Sequence, residues 1–186
     1  MPPKVKISKQ EIIDAGIELI RRGGEECLNA REIAKLLGIS TQPIFSNFEN
    51  MYALRAEIIN EANNIYEEYS KKEMQSGKYP IYKASGMAYI KFAKEEGQLF
   101  KLLFMRDRAG EDTEESTQFG DSVIDIVKNN TGLDMDTAKL FHLEVWSFVH
   151  GIATMIVTGY FDVDMSLVDK MVSDAYLGLK KQYGGV

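Results

Sequence analysis

Residues 29–48 read NAREIAKLLGISTQPIFSNF, and how this stretch folds decides how the rest of the chain is read. Asn29 and Glu32 have the spacing of a capping box, in which side chains satisfy backbone N–H groups that a helix start leaves unpaired. They open a short helix, AREIAKLL, which Gly38 ends. Pro43 then stands where apolar residues still recur at helical spacing. A proline inside a helix removes one N–H and clashes with the preceding turn. With Ser40 as N-cap, however, Pro43 is the third residue of a helix over 41–47. First-turn N–H groups have no partner within the helix, so losing one there costs little. The spacing therefore predicts two short helices joined by Gly-Ile-Ser, a helix-turn-helix arrangement.

Outward from that unit the chain reads as helices, and no run alternates like a strand. Upstream, Ser8 and Glu11 form another capping box, and Gly23-Gly24 stop the helix after Arg21 and Arg22. Its apolar face holds Ile12, Ile13, Gly16, Ile17, Leu19 and Ile20. Leu28, Ile33, Ala34, Leu37, Ile39, Ile44 and Phe48 are spaced to close a small three-helix core with it. Downstream, Asn50 can cap a long helix striped by Leu54, Ile58, Ala62, Ile65 and Tyr69, which fades at QSGKYP, 75–80. Further helices are expected at roughly 81–96, 98–105, 115–131, 136–160 and 166–182. The fold class is all-α, with an N-terminal three-helix helix-turn-helix domain over 1–52 and a helical C-terminal domain over 53–186. Within the second of these, the polar loop RDRAGEDTEES, 106–116, lacks the ligand and glycine spacing of a calcium loop.

Hydrophobic residues make up 45% of the chain, enough for a real core. The net charge of −6 argues against a protein that coats nucleic acid through overall charge. The charge is uneven, though. Residues 1–55 carry eight Lys/Arg against seven Asp/Glu, and the remainder fourteen against twenty-one, so only the front segment suits a polyanion. A single cysteine, Cys27, rules out an internal disulfide and makes the cytoplasm the natural compartment. MPPKVKISKQ has no apolar signal region. The stretch VWSFVHGIATMIVTGYF, 145–161, contains His150 and several Ser, Thr and Gly, and Asp162 and Asp164 follow it. It is expected to be a helix buried on all sides in a soluble protein, with no membrane partner. The last helix has a broad apolar face, and together with the helix at 136–160 it offers more apolar surface than a small domain needs. A homodimer interface through Ile152, Met155, Ile156, Val168, Met171, Val172, Ala175 and Leu179 is the economical expectation.

In a helix-turn-helix the second helix lies in the DNA major groove. The face away from the core carries Thr41, Gln42, Pro43, Phe45, Ser46 and Asn47. Gln and Asn can bond bidentately to adenine, and the Pro43 ring or Phe45 can meet a thymine methyl. Arg31 is placed for a base or phosphate contact, and Asn29, Met51 and Tyr52 complete the candidate DNA-binding set.

Residues 9–58, KQEIIDAGIELIRRGGEECLNAREIAKLLGISTQPIFSNFENMYALRAEI, resemble the DNA-binding domain of the tetracycline-repressor (TetR/AcrR) family. Ile33-Ala34, Gly38, Ser40, Phe48 and Leu54 fill the slots of that family's xxxIAxxxGxSxxxxYxxF core and of the leucine in its fourth helix. WSFVHG, 146–151, is similar to a Trp-His-Gly motif in the C-terminal domain of one branch. The resemblance implies a protomer that dimerises through its last two long helices and whose C-terminal domain binds ligand. It implies a repressor that binds a palindromic operator in double-stranded DNA and leaves it when a small molecule fills that domain. Two departures matter. The usual recognition-helix tyrosine is Phe45, and the usual lysine opening helix four is Met51, so two phosphate-binding groups are lost. Lys4, Lys6 and Lys9 can compensate as a basic arm, or PPKVK is a plain terminus.

No enzyme constellation is visible: no nucleophile elbow, Walker or dinucleotide fingerprint, and no cofactor is implied. His142, Trp146 and His150 share a helical face at steps of four, but two turns separate the histidines, too far for a shared metal. Phe92, Phe100 and Phe104 can form one wall of a pocket for a small hydrophobic effector, with Trp146, His150 and Thr154 opposite. Each is equally readable as core, and His150 needs a polar partner either way. A second functional reading follows from Phe45 and Met51: a helical small-molecule-binding or protein-interaction module with impaired DNA reading.

Overall fold

Helix α1 (Lys9–Gly23) begins at the expected capping box: Ser8 Oγ accepts from the Glu11 N–H at 3.2 Å, and the Glu11 carboxylate accepts the Ser8 N–H at 2.8 Å. The Ser8 N–H and then its hydroxyl favour the charged acid and hold the Glu11 carboxyl below the usual carboxylate range. These coordinates are a computed structural model that describes residues 7–106 and 118–184, with backbone alone at 118–122. The arm lysines Lys4 and Lys6, and nearly all of the 106–116 loop, lie outside the described residues.

Helix α2 (Ala30–Leu37) starts at Asn29, whose Oδ1 accepts the N–H groups of Arg31 and Glu32 at 3.1 and 3.0 Å. Gly38 ends it at φ 66, ψ 32, a left-handed conformation open to glycine because it has no Cβ. Helix α3 (Gln42–Asn47) differs from expectation by one residue. Thr41, not Ser40, holds the cap position, without a side-chain cap bond and with helical dihedrals of its own (φ −73, ψ −15). The Thr41 carbonyl already accepts from Ile44 and Phe45 at 3.2 and 3.3 Å, which moves the start of the helix on. Pro43 is thus the second helical residue and not the third, still within the turn where its missing N–H has no partner to lose. Asn50 caps α4 (Met51–Gln75) through its Oδ1 and the Ala53 N–H at 2.9 Å. There follow α5 (Ile81–Glu95), α6 (Gly97–Phe104), α7 (Gln118–Thr131), α8 (Met135–Val157) and α9 (Met165–Gln182), and the described residues contain no strand.

The chain divides into two compact units. The first runs to Glu67 and adds Glu96–Arg106. Ile12, Ile20, Ile33, Ile44, Leu54 and Ile58 are its sealed centre, with Phe48 beside them, whereas Leu28, Leu37 and Ile39 are only half-buried at its edge. A boundary at residue 52 would cut this core, because the α4 stripe Leu54, Ile58 and Ala62 is fully buried in it. Helix α6 also belongs here. It packs on α1 with Leu99 and Phe100 sealed, and Arg21 grips Glu96 through two bonds of 2.8 and 2.6 Å. A Cβ at Gly16 would fall 2.3 Å from Ile58 Cδ1 and 3.1 Å from its Cγ1, so a larger residue there requires the Ile58 side chain to shift.

The second unit comprises Glu68–Glu95 and the chain beyond Arg106. Helices α5 and α8 form its main pairing, and α7 and α9 pack on α8. Its buried residues include Met87, Ile90 and Phe92 on α5, Phe141, Val145, Val149 and Ile152 on α8, Val127 on α7, and Val168 and Val172 on α9. The expectation that α8 is buried on all sides is wrong. The helix is long and apolar enough to cross a membrane by length and composition, yet one face packs in the unit while Leu140, Leu143, Trp146, Phe148 and Met155 stay exposed. It also ends at Val157, with Gly159 at φ 71 two residues on. Of the eight expected interface residues, Ile152, Val168 and Val172 are buried in the protomer core, Ile156, Met171, Ala175 and Leu179 are half-buried, and Met155 is exposed.

Candidate nucleic-acid interface and ligand-binding residues

Burial of Ile33 and Ala34 on α2 and of Ile44 on α3 fixes which sides of these helices face water. Arg31 on α2 and Gln42, Phe45 and Ser46 on α3 are exposed, and Thr41, Pro43 and Asn47 are partly so. Phe45 keeps 49% of its surface open, and Tyr52 on the first turn of α4 keeps 80%, while Met51 is half-buried. Not every polar group on this surface is available. Ser46 Oγ donates to the Gln42 carbonyl at 3.0 Å and Asn47 Nδ2 to the Pro43 carbonyl at 2.8 Å. Asn29 acts as the α2 cap, so its carboxamide oxygen is held by that helix. No residue of α3 is charged; Lys9 Nζ lies 5.1 Å over the ring of Phe48 at its C-terminal end, and α2 carries Arg31 and Lys35, the latter 3.5 Å from Glu32.

The six candidate ligand-binding residues are divided between the two units. Phe100 and Phe104 fall in the first unit, packed on each other at 5.1 Å between ring centroids, because α6 covers α1. Phe92, Trp146, His150 and Thr154 belong to the second unit. There Phe92 is fully buried and meets Tyr69 edge-on at 5.4 Å. Trp146 is 44% exposed and lies nearly parallel to His150, with centroids 5.0 Å apart. Thr154 Oγ1 is buried without a hydrogen-bond partner. His150 Nδ1 lies 2.8 Å from the Tyr89 hydroxyl, and burial lowers the imidazole pKa. A parallel pair sits two turns away, where His142 Nδ1 lies 3.1 Å from the Tyr82 hydroxyl and burial again lowers the pKa. The second unit also has an open cleft of about 180 Å³ lined by Lys78, Lys91, Lys94, Glu73, Tyr79 and Met87 among others. No cluster of metal-ligating side chains occurs among the described residues.

Residues 82–175, just over half of the chain, match the family described as "Tetracyclin repressor-like, C-terminal domain". The chain belongs to the TetR family. Among solved structures the TetR-family chain is similar to a protein of unknown function from Rhodococcus sp. RHA1 (TM-score 0.73, 18% identity, 98% of this chain and 99% of that one). It is similar to a TetR-like transcriptional regulator from the same organism (TM-score 0.64, 14% identity, 97% and 94%). A TetR-family member from Streptomyces coelicolor A3 is a further neighbour (TM-score 0.61, 14% identity, 90% and 96%). At these identities the likeness is one of fold. A comparison with curated proteins gives no match. The TetR-family C-terminal domain contains the tyrosine–histidine pairs, which sequence reasoning missed. Their signal was present: Tyr82 and Tyr89 recur seven apart on α5, and His142 and His150 eight apart on α8, so both pairs meet along one helix contact.

Proposed function

We propose that this TetR-family transcriptional regulator is a cytoplasmic homodimer that represses transcription by binding a near-palindromic operator, and that a small-molecule effector releases it. The observation that carries this reading is the helix-turn-helix itself. Ile33, Ala34, Ile44 and Phe48 anchor α2 and α3 in the first unit, and Gln42 and Phe45 stand outward where a major groove would meet them. Dimerisation is supported by the exposed apolar residues of α8 and α9, now Leu140, Leu143, Met155, Leu167 and Leu177. A two-fold dimer sets its recognition helices about 34–36 Å apart, one DNA turn, which calls for an inverted repeat. The effector is expected in the second unit, near Phe92, Trp146, His150 and Thr154, and acts by its differential affinity for two dimer geometries.

The test is selection of bound sequences from random duplex DNA, followed by affinity against salt. An inverted repeat whose binding weakens as salt rises is the expected result. A protein that dimerises but enriches no sequence would favour the alternative, a helical ligand-binding or protein-interaction module in which Phe45 and Met51 mark lost DNA contacts.

A further inference from the structure

The outward face of α3 has an unusual balance of groups. Ile44 and Phe48 supply the apolar contacts its core side needs, at 1% and 4% exposure, yet Phe45 leaves half its ring in water. Nothing in the packing of the unit explains a second phenylalanine there. The donors beside it are engaged, Ser46 Oγ with the Gln42 carbonyl and Asn47 Nδ2 with the Pro43 carbonyl. Among the described residues the Gln42 side chain makes no hydrogen bond, and α3 has no charge with which to grip guanine or phosphate. The surface therefore offers one free carboxamide and one exposed aromatic ring.

Base-pair edges in the major groove differ in what they offer such a pair. Thymine alone among the four bases presents a methyl group, and adenine presents the adjacent acceptor and donor that a carboxamide can bond bidentately. Resting on the DNA-binding reading above, we propose that Phe45 specifies a thymine through its C5-methyl and Gln42 an adenine beside it. The part of each half-site under α3 is thus read as A·T pairs, with Ser46 and Asn47 holding the helix in shape.

The experiment uses the operator recovered by selection and the full-length protein. Each thymine in turn is replaced by deoxyuridine, which removes only the methyl, and affinity is measured for the wild type and for Phe45→Ala. At one thymine per half-site, deoxyuridine should weaken wild-type binding by about threefold to fivefold, the worth of one buried carbon. Phe45→Ala should bind thymine and deoxyuridine operators alike, and Gln42→Ala should lose its preference at the adjoining adenine. Because Phe45 is exposed, an unchanged circular dichroism spectrum separates a lost contact from a lost fold. If the operator is bound but no methyl matters, or if the methyl effect survives in Phe45→Ala, this inference falls and the repressor reading stands. If no sequence is enriched, both fall.

Discussion

His142 and His150 show what single residues contribute inside the second unit. Each has its Nδ1 within bonding distance of a buried tyrosine hydroxyl, 3.1 Å from Tyr82 and 2.8 Å from Tyr89. A neutral imidazole that accepts there gives each of these two tyrosine hydroxyls a partner. Burial disfavours the imidazolium, so the pKa of His142 in the folded protein lies below 6.5. The unfolded chain then binds the proton more readily than the folded one, and stability falls as the pH drops. The contribution is complete above 6.5 and is lost progressively from there down to the lowered folded pKa. The urea midpoint of the wild type should therefore fall between pH 7.5 and 5.5, and that of His142→Asn should fall less. Equal pH dependence in both proteins would show that this imidazole is not the titrating group.

At the scale of elements, close approach between helices matters more than propensity. Gly16 stands mid-helix in α1, where glycine costs about 1 kcal/mol relative to alanine. Its justification is Ile58, sealed in the core and only 2.3 Å from where a Cβ would stand. Gly16→Ala should lower stability by about 1–3 kcal/mol through overpacking, with the gain in helix propensity offsetting part of it. Thermal unfolding gives the answer, since a variant as stable as the wild type would mean that Ile58 swings aside freely. Helix α6 illustrates the other half of the point. Its apolar run GQLFKLLF fits any apolar partner, and it packs on α1, helped by the Arg21–Glu96 pair, with Phe104 edge-on to Tyr66 of α4.

At the scale of the whole molecule, the exposed faces of α8 and α9 are the feature that demands a partner. Leu143 keeps 55% of its surface open, Leu167 47% and Leu177 61%, on helices whose other faces are core. Exposed apolar surface of this kind is what supports the proposed interface. On the proposed function the wild type is a dimer in sedimentation velocity, and Leu143→Glu should convert it to a monomer at micromolar concentration while the helical circular dichroism spectrum persists. A variant that remains dimeric would move the interface elsewhere. The same substitution at Val172, which is 4% exposed, should disrupt the fold instead, because it buries a charge in the protomer.

What the sequence alone determined is short in range. The Ser8, Asn29 and Asn50 caps, the turn at Gly38 and the inward set Ile33, Ala34, Ile44 and Phe48 each depend on residues within a few positions of one another, and each is where the pattern put it. That was enough to find the helices, the helix-turn-helix and the family. Even the displaced cap at Thr41 changes the start of α3 by a single residue. Tertiary structure alone decided which apolar faces are covered, and by what. Periodicity shows that α8 has apolar residues around most of its circumference, but Phe141 and Leu143 look alike in sequence, and only packing against neighbouring elements, Tyr176 of α9 among them, buries one and leaves the other open. For the same reason sequence did not show that Ile152, Val168 and Val172 are buried within the protomer, or that Phe100 and Phe104 fall in the first unit with α1. Hydrophobic burial has no direction along the chain, so the partner of an apolar face is set by the competition among all the faces that fold together.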